Sequence, residues 1–109
     1  MPDVTFPSGD LTLAGTLALP EGDGPFPAAV LVTGSGPLDR DSNTKRLRIG
    51  VMAQVAAHLA ARGIASLRYD KRGVGASEGD YLATGLFDNV ADARAALAAL
   101  RARPEVDAD

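Results

Sequence analysis

The apolar stretch AAVLVTG (28–34) constrains this chain more than any other feature. It does not alternate polar with apolar residues and therefore suits a strand buried on both faces, the usual situation in a parallel sheet. IASLRY (64–69) reads as the next strand. Between them Val51, Val55 and Leu59 fall on one helical face, with Met52 and Ala56 adjacent, which predicts a helix over 47–62. Gly63 stands where a residue just past a helix end takes left-handed backbone. Strand, helix, strand in this order predicts an α/β layered sheet.

The flanking segments extend that reading. Around the turn signal PSGD, residues 3–7 and 11–19 read as two short antiparallel strands forming a hairpin. PEGDGPFP (20–27), SGPLDRDSNTKR (35–46) and DKRGVGASEGDYLATG (70–85) are dense in turn-forming residues and read as loops. A last helix is predicted over 86–103, with Leu86, Val90, Ala93, Leu97 and Leu100 forming an apolar stripe that Pro104 ends. Only EVDAD follows, too little for the strand to which such a helix normally returns.

Composition removes several functions. Apolar residues make up 46% and charged ones 23%, as in a globular protein, and the net charge of −3 gives no footprint for nucleic acid. There is no cysteine, hence no disulfide or thiolate metal site. Met1, Pro2 and Asp3 lack the basic-then-apolar pattern of a signal peptide, and no apolar run approaches the ~18 residues of a membrane helix. The expectation is a cytoplasmic protein with neither membrane nor nucleic-acid partners.

Three stretches invite a chemical reading. GASEG, from Gly75 to Gly79, has the G-x-S-x-G spacing of a serine hydrolase's nucleophile elbow. An elbow needs a buried strand running into the serine and a helix starting directly after it. Ser77 is instead preceded by the charged, glycine-rich YDKRGVGA and followed by EGDYLATG, which resists helix formation. Ser77 therefore reads as a turn-forming or hydrogen-bonding serine.

TGSGP, from Thr33 to Pro37, ends an apolar strand, where ligands gather in α/β sheets. A dinucleotide fingerprint does not fit, because Asp39 occupies the third glycine's place and the helix begins only some ten residues later. Small residues there suit either a tight turn or an oxyanion loop, whose bare backbone N–H groups face a developing negative charge.

His58 is the lone histidine and lies mid-helix, where a solvated or packed role is expected, although a Ser77–His58–Asp70 set stays open. Asp39, Asp41 and Asp70 lack metal-ligand spacing. RLR and RAR, within Arg46–Arg48 and Arg101–Arg103, read as charges on a solvated face.

Taken together, FPAAVLVTGSGPLDRD, LAARGIASLRYDKRGVGASEGD and FDNVADARAALAALRAR resemble the N-terminal half of the α/β-hydrolase fold superfamily. The closest likeness is to bacterial esterases and to members like serine aminopeptidases or dienelactone hydrolases. The resemblance spans Val4 to Arg103 and implies that 1–109 is an incomplete N-terminal segment of one α/β-hydrolase domain. It also explains GASEG: members commonly carry R-G-x-G-x-S after the fourth strand, here Arg72, Gly73, Gly75 and Ser77, as a structural loop near the site, beside Asp70. Gly34, Ser35 and Gly36 would form the oxyanion loop, with the Ser35 N–H as one donor. Thr33 stands where the family often has histidine, a difference that touches the loop's hydrogen bonding rather than the reacting groups.

By the same likeness the nucleophile, acid and histidine would lie beyond Asp109, no cofactor is needed, and the complete enzyme would act on a small ester, with peptide or thioester bonds as lesser options. The implied strand order, 1-2-4-3-5, leaves strand 28–33 an apolar edge. That edge would pair with the missing half or with a second copy. Two functions stay open: the oxyanion-loop segment of a serine hydrolase, inactive alone, and a non-catalytic interaction domain that binds through this edge.

Overall fold

The computed structural model describes residues 3–32, 39–41 and 50–108. Strands β1 (Asp3–Ser8) and β2 (Leu11–Ala18) form the expected hairpin, with Asp3 opposite Thr16 and Ser8 opposite Leu11. β3 (Ala28–Leu31), α1 (Val51–Ala61), β4 (Ala65–Tyr69) and α2 (Leu86–Arg101) follow. The sheet order is β1-β2-β4-β3, with β3 parallel to β4 and the other pairs antiparallel. Gly63 takes φ +80° directly after the end of α1, as its position predicts.

Strand alternation gives the sheet two different faces. One presents Phe6, Leu13, Leu17, Leu67 and Tyr69, and α2 packs on it through Ala96 and Leu100. Phe6 and Tyr69 meet edge to face with ring centroids 5.7 Å apart. The other face carries the small residues Ala14, Ala18 and Ser66, all buried, and α1 approaches β4 and β2 with Ala56 fully buried.

The helix faces depart from the sequence reading. Leu86, Val90 and Leu97, which form most of the predicted α2 stripe, are exposed, and the inward row is Asp92, Ala96 and Leu100. On α1, Val51 and Val55 are exposed while Ala56 faces in. In both helices alanines lie against the sheet. A small side chain lets the helix backbone come close, and the larger apolar residues are carried to the flanks. β3 departs as well: all four of its residues are half-buried, whereas β4 is buried at all five positions. β4 is the interior strand and β3 lies at the edge.

The residues after α2 come back to that edge. The Phe26 N–H donates to the Glu105 carbonyl at 2.9 Å and the Asp107 N–H to the Phe26 carbonyl at 2.8 Å. Phe26 and Val106 thereby form a single parallel bridge just ahead of β3, and Val106 joins the core. The sequence reading allowed nothing for the tail after Pro104. The structure shows it starting a parallel pairing on the outer side of β3.

Candidate functional site

β2 is longer than its pairing with β4, which covers only Gly15 to Ala18. Beyond that point the loop after β4 takes over as β2's neighbour. The Asp70 N–H donates to the Ala14 carbonyl at 2.8 Å and the Glu78 N–H to the Thr12 carbonyl at 3.0 Å. The Thr12 N–H donates to Glu78 Oε1 at 2.7 Å. The Ala14 N–H, which no strand serves, donates to Ser77 Oγ at 2.9 Å, and that hydroxyl gives its own proton to the Asp70 carbonyl at 2.6 Å.

These bonds tie the Ser77 hydroxyl to backbone on both sides. It is 8% exposed, its single proton is committed to a backbone carbonyl, and a lone pair is filled by a backbone N–H. A nucleophile needs that proton aimed at a base. His58 is exposed on α1 and Asp70 meets the serine through its carbonyl, not its carboxylate. The three residues are not brought together as a triad.

Asp70 is the centre of a different arrangement. Its carboxylate is 4% exposed at the residue level and receives four hydrogen bonds. Oδ1 accepts from the Arg40 N–H at 2.7 Å and from Arg40 Nε at 3.2 Å. Oδ2 accepts from Arg40 Nη2 at 3.0 Å and from the Ala76 N–H at 2.9 Å. Burial alone would push this carboxyl up, but Arg40 and the two backbone donors outweigh it and hold it below the usual carboxylate range. Gly75 is required beside it: at φ +55° a Cβ there would lie 2.5 Å from Oδ2.

Arg40 spends its remaining donors on β1 and β2. Nη1 reaches the Gly15 carbonyl and Thr16 Oγ1, each at 2.9 Å, and Asp3 Oδ1 at 3.1 Å. One residue later, Asp41 accepts from Arg68 Nε at 2.8 Å while its carbonyl takes the Met52 N–H of α1. The Asp41 N–H closes a turn on Asp39 Oδ1.

A second network lies on the α2 face. Arg72 places Nε and Nη2 on the two oxygens of Asp92 at 3.1 and 2.7 Å, and Nη1 on Asp88 at 3.3 Å. Asp92 is 2% exposed, and Oδ1 also accepts from Ser8 Oγ at 2.6 Å. Arg72 is thus a strut between the loop and α2. At Gly73 a Cβ would run into the Tyr81 backbone N–H group.

The sequence-predicted residues are therefore partly united. Asp70, Gly75 and Ser77 form one cluster, Arg72 and Gly73 fix its far side, and the proposed loop residues Gly34, Ser35 and Gly36 lie outside the described residues. Sequence reasoning missed Arg40, Asp41, Arg68 and Asp92. Asp92 left a signal: a carboxylate in register with Ala96 and Leu100 on a helix demands a buried cation.

No protein-family profile matches this sequence. Among curated proteins it is 44% identical over 71 residues to Esterase EstD of Thermotoga maritima, covering 62% of this chain and 17% of that one. Among solved structures it superposes on the α/β hydrolase GrgF from Penicillium sp. sh18 with TM-score 0.77 and 26% identity, over 97% of this chain and 34% of that one. These likenesses in sequence and fold support membership of the α/β-hydrolase fold superfamily. A further solved structure, the hypothetical protein PA2218 of Pseudomonas aeruginosa, matches with TM-score 0.76 and 27% identity over 97% of this chain and 32% of that one. The chain spans about a third of these two solved structures and under a fifth of the EstD sequence. Its sheet is consistent with an N-terminal part of the α/β-hydrolase fold. Among the described residues no helix is long and apolar enough to cross a membrane.

Proposed function

We propose that this chain is the N-terminal segment of a cytoplasmic serine hydrolase acting on carboxylic esters, and that it supplies the oxyanion loop through Gly34, Ser35 and Gly36. The observation that carries the reading is the 44% identity to an esterase over 71 residues. In this reading Ser77, bonded to backbone at both its proton and a lone pair, is scaffold. The attacking serine, its acid and its histidine come from outside these 109 residues. The parallel bridge between Phe26 and Val106 supports the geometry, because a strand continuing from Val106 would run alongside β3 and end beside the loop that follows it.

The chemistry asked of this segment is electrostatic. When a serine hydroxyl adds to an ester carbonyl, negative charge develops on the carbonyl oxygen, and each preorganised backbone donor contributes about 3 kcal/mol to that state. Glycines at 34 and 36 keep side chains clear of the approaching oxygen.

The test is a short-chain aryl ester assay combined with a fluorophosphonate probe. The 109 residues alone are expected to show neither turnover nor labelling. The intact protein that contains them is expected to show both. Turnover by the 109 residues alone overturns the division of labour, and an inert intact protein overturns the esterase reading.

A second reading, a non-catalytic domain that binds through strand 28–33, is favoured by one observation. Val32, Val90 and Leu97, on β3's end and on α2, are 47–50% exposed. Size-exclusion chromatography over a concentration series separates the two, since binding through an unpaired edge to a second copy makes the elution volume concentration-dependent.

A further inference from the structure

The C-terminal end of α2 does not fill the space beside β1. It presents Ala99 and Ala102 there, and between these short side chains and the sheet lies a cavity of about 310 Å³. Phe6, Leu17, Leu67 and Leu100 line it, each at most 3% exposed, together with Val4 of β1. Neither Asp70, Arg72 nor Ser77 takes part, so the cavity is separate from the cluster at the end of β4.

Its size lies at the lower end of the range for small-molecule sites, about 300–1,000 Å³, and such sites join an apolar lining to a few polar groups. Here the charged group is Arg103, just past the end of α2, and it is the sole charge among the lining residues. Among the described residues its guanidinium makes one long contact, Nη2 to Glu105 Oε2 at 3.3 Å. Its Nε is buried and has no acceptor. A guanidinium carries five donors in a planar fork that matches a carboxylate, so most of this one's capacity is unspent. The molecule that satisfies both parts has a hydrocarbon body and one anionic end.

We propose that the cavity between β1 and α2 binds a free alkyl carboxylate, with its chain against Phe6, Leu17, Leu67 and Leu100 and its carboxylate on Arg103. The site goes beyond ester hydrolysis and stands whether or not the intact protein is an esterase. Glu105 shares the guanidinium and competes with the ligand for it. That competition keeps the binding reversible and supplies a control.

The experiment is calorimetric titration of the intact protein that contains this chain with butanoate, hexanoate and octanoate. A parallel sample treated with fluorophosphonate removes any binding at an esterase acyl site. Both samples are expected to take up one octanoate saturably, and affinity is expected to rise about fourfold for each added CH₂. Arg103→Gln is expected to weaken octanoate about tenfold and octan-1-ol less than threefold, because the alcohol makes no ion pair. Glu105→Gln removes the competitor and is expected to tighten octanoate severalfold. Ala99→Phe fills the cavity and is expected to abolish binding of both compounds. Arg103 is partly exposed, so its variant keeps the test decisive if the phenylalanine variant does not fold. Absence of saturable octanoate binding overturns the proposal. So does binding that survives Arg103→Gln at full strength, or that the fluorophosphonate removes; neither result touches the esterase reading.

Discussion

The two sides of β4 are finished to different degrees. Toward β2 the interface is dry and closed: Leu13, Leu17 and Leu67 are at most 2% exposed, and where pairing ends the Ser77 hydroxyl and the Glu78 carboxylate complete β2's hydrogen bonds. Toward β3 every strand residue is half-buried, and apolar side chains of both helices reach solvent. Among the described residues only Val106 closes the outer side, through one bridge to Phe26. The contrast teaches where the fold spends its polar groups. Buried ion pairs gather at the closed side, where they fix loops in place. The open side keeps an exposed hydrocarbon surface at Val32, Val90 and Leu97, of the kind another strand would cover.

The sharpest way to break this comparison is to remove a charge on the closed side. Asp92→Ala leaves the Arg72 fork and the Ser8 hydroxyl without their acceptor, and losing one partner of a buried pair costs about 3–5 kcal/mol. A urea melt is expected to show much of the domain's stability gone; a loss below about 1 kcal/mol would mean that the pair is not holding α2 to the sheet. Ser77→Ala is next, at about 1–3 kcal/mol, because the Ala14 N–H is left buried and unserved. In the intact protein, under the proposed function, it is expected to leave kcat per folded molecule unchanged, and a loss of several hundredfold would place Ser77 in the chemistry.

Acid separates the two sides more gently. The Asp70 carboxyl is held below its ordinary value of 3.8, so its contribution to stability is fully present above that pH and drains away as pH falls through the lower folded-state value. One proton limits the slope to about 1.4 kcal/mol per pH unit. Melts from pH 7 to pH 2 are expected to show wild type and Asp70→Asn converging in the acid range. Parallel curves throughout would mean that the carboxylate is not stabilised by Arg40. The smallest effect belongs to the open side: Leu97→Ser is expected to change the stability of the chain by no more than about 0.5 kcal/mol. A larger loss would mean that α2's outer flank is already covered.

The order of elements and most of their ends were legible because they rest on local chemistry. The un-alternating run at 28–34 made a strand, Gly63 closed a helix, and the turn at Gly9 joined the hairpin. The inward faces of the helices were legible only in part, at Leu100. A reading that sends the largest apolar residues inward picks Val90 and Leu97, whereas close packing on this sheet selects Ala96 and, on α1, Ala56. The networks were invisible for another reason. Ser8 and Asp92 are 84 residues apart and Arg40 and Asp70 are 30 apart, so only the folded sheet reveals them as partners. For Ser77 the flanking residues already argued against an elbow, whereas its two backbone hydrogen bonds, to residues 14 and 70, come into view only in the folded chain.

The claim beneath all of this is that the serine of the glycine loop belongs to the scaffold. Peptide mapping by mass spectrometry, after prolonged exposure of the 109-residue chain to an excess of fluorophosphonate, tests it most directly. The account predicts an unmodified Ser77 in the fragment that carries it. A phosphonyl adduct at Ser77, formed by the folded chain and absent after denaturation, would contradict it.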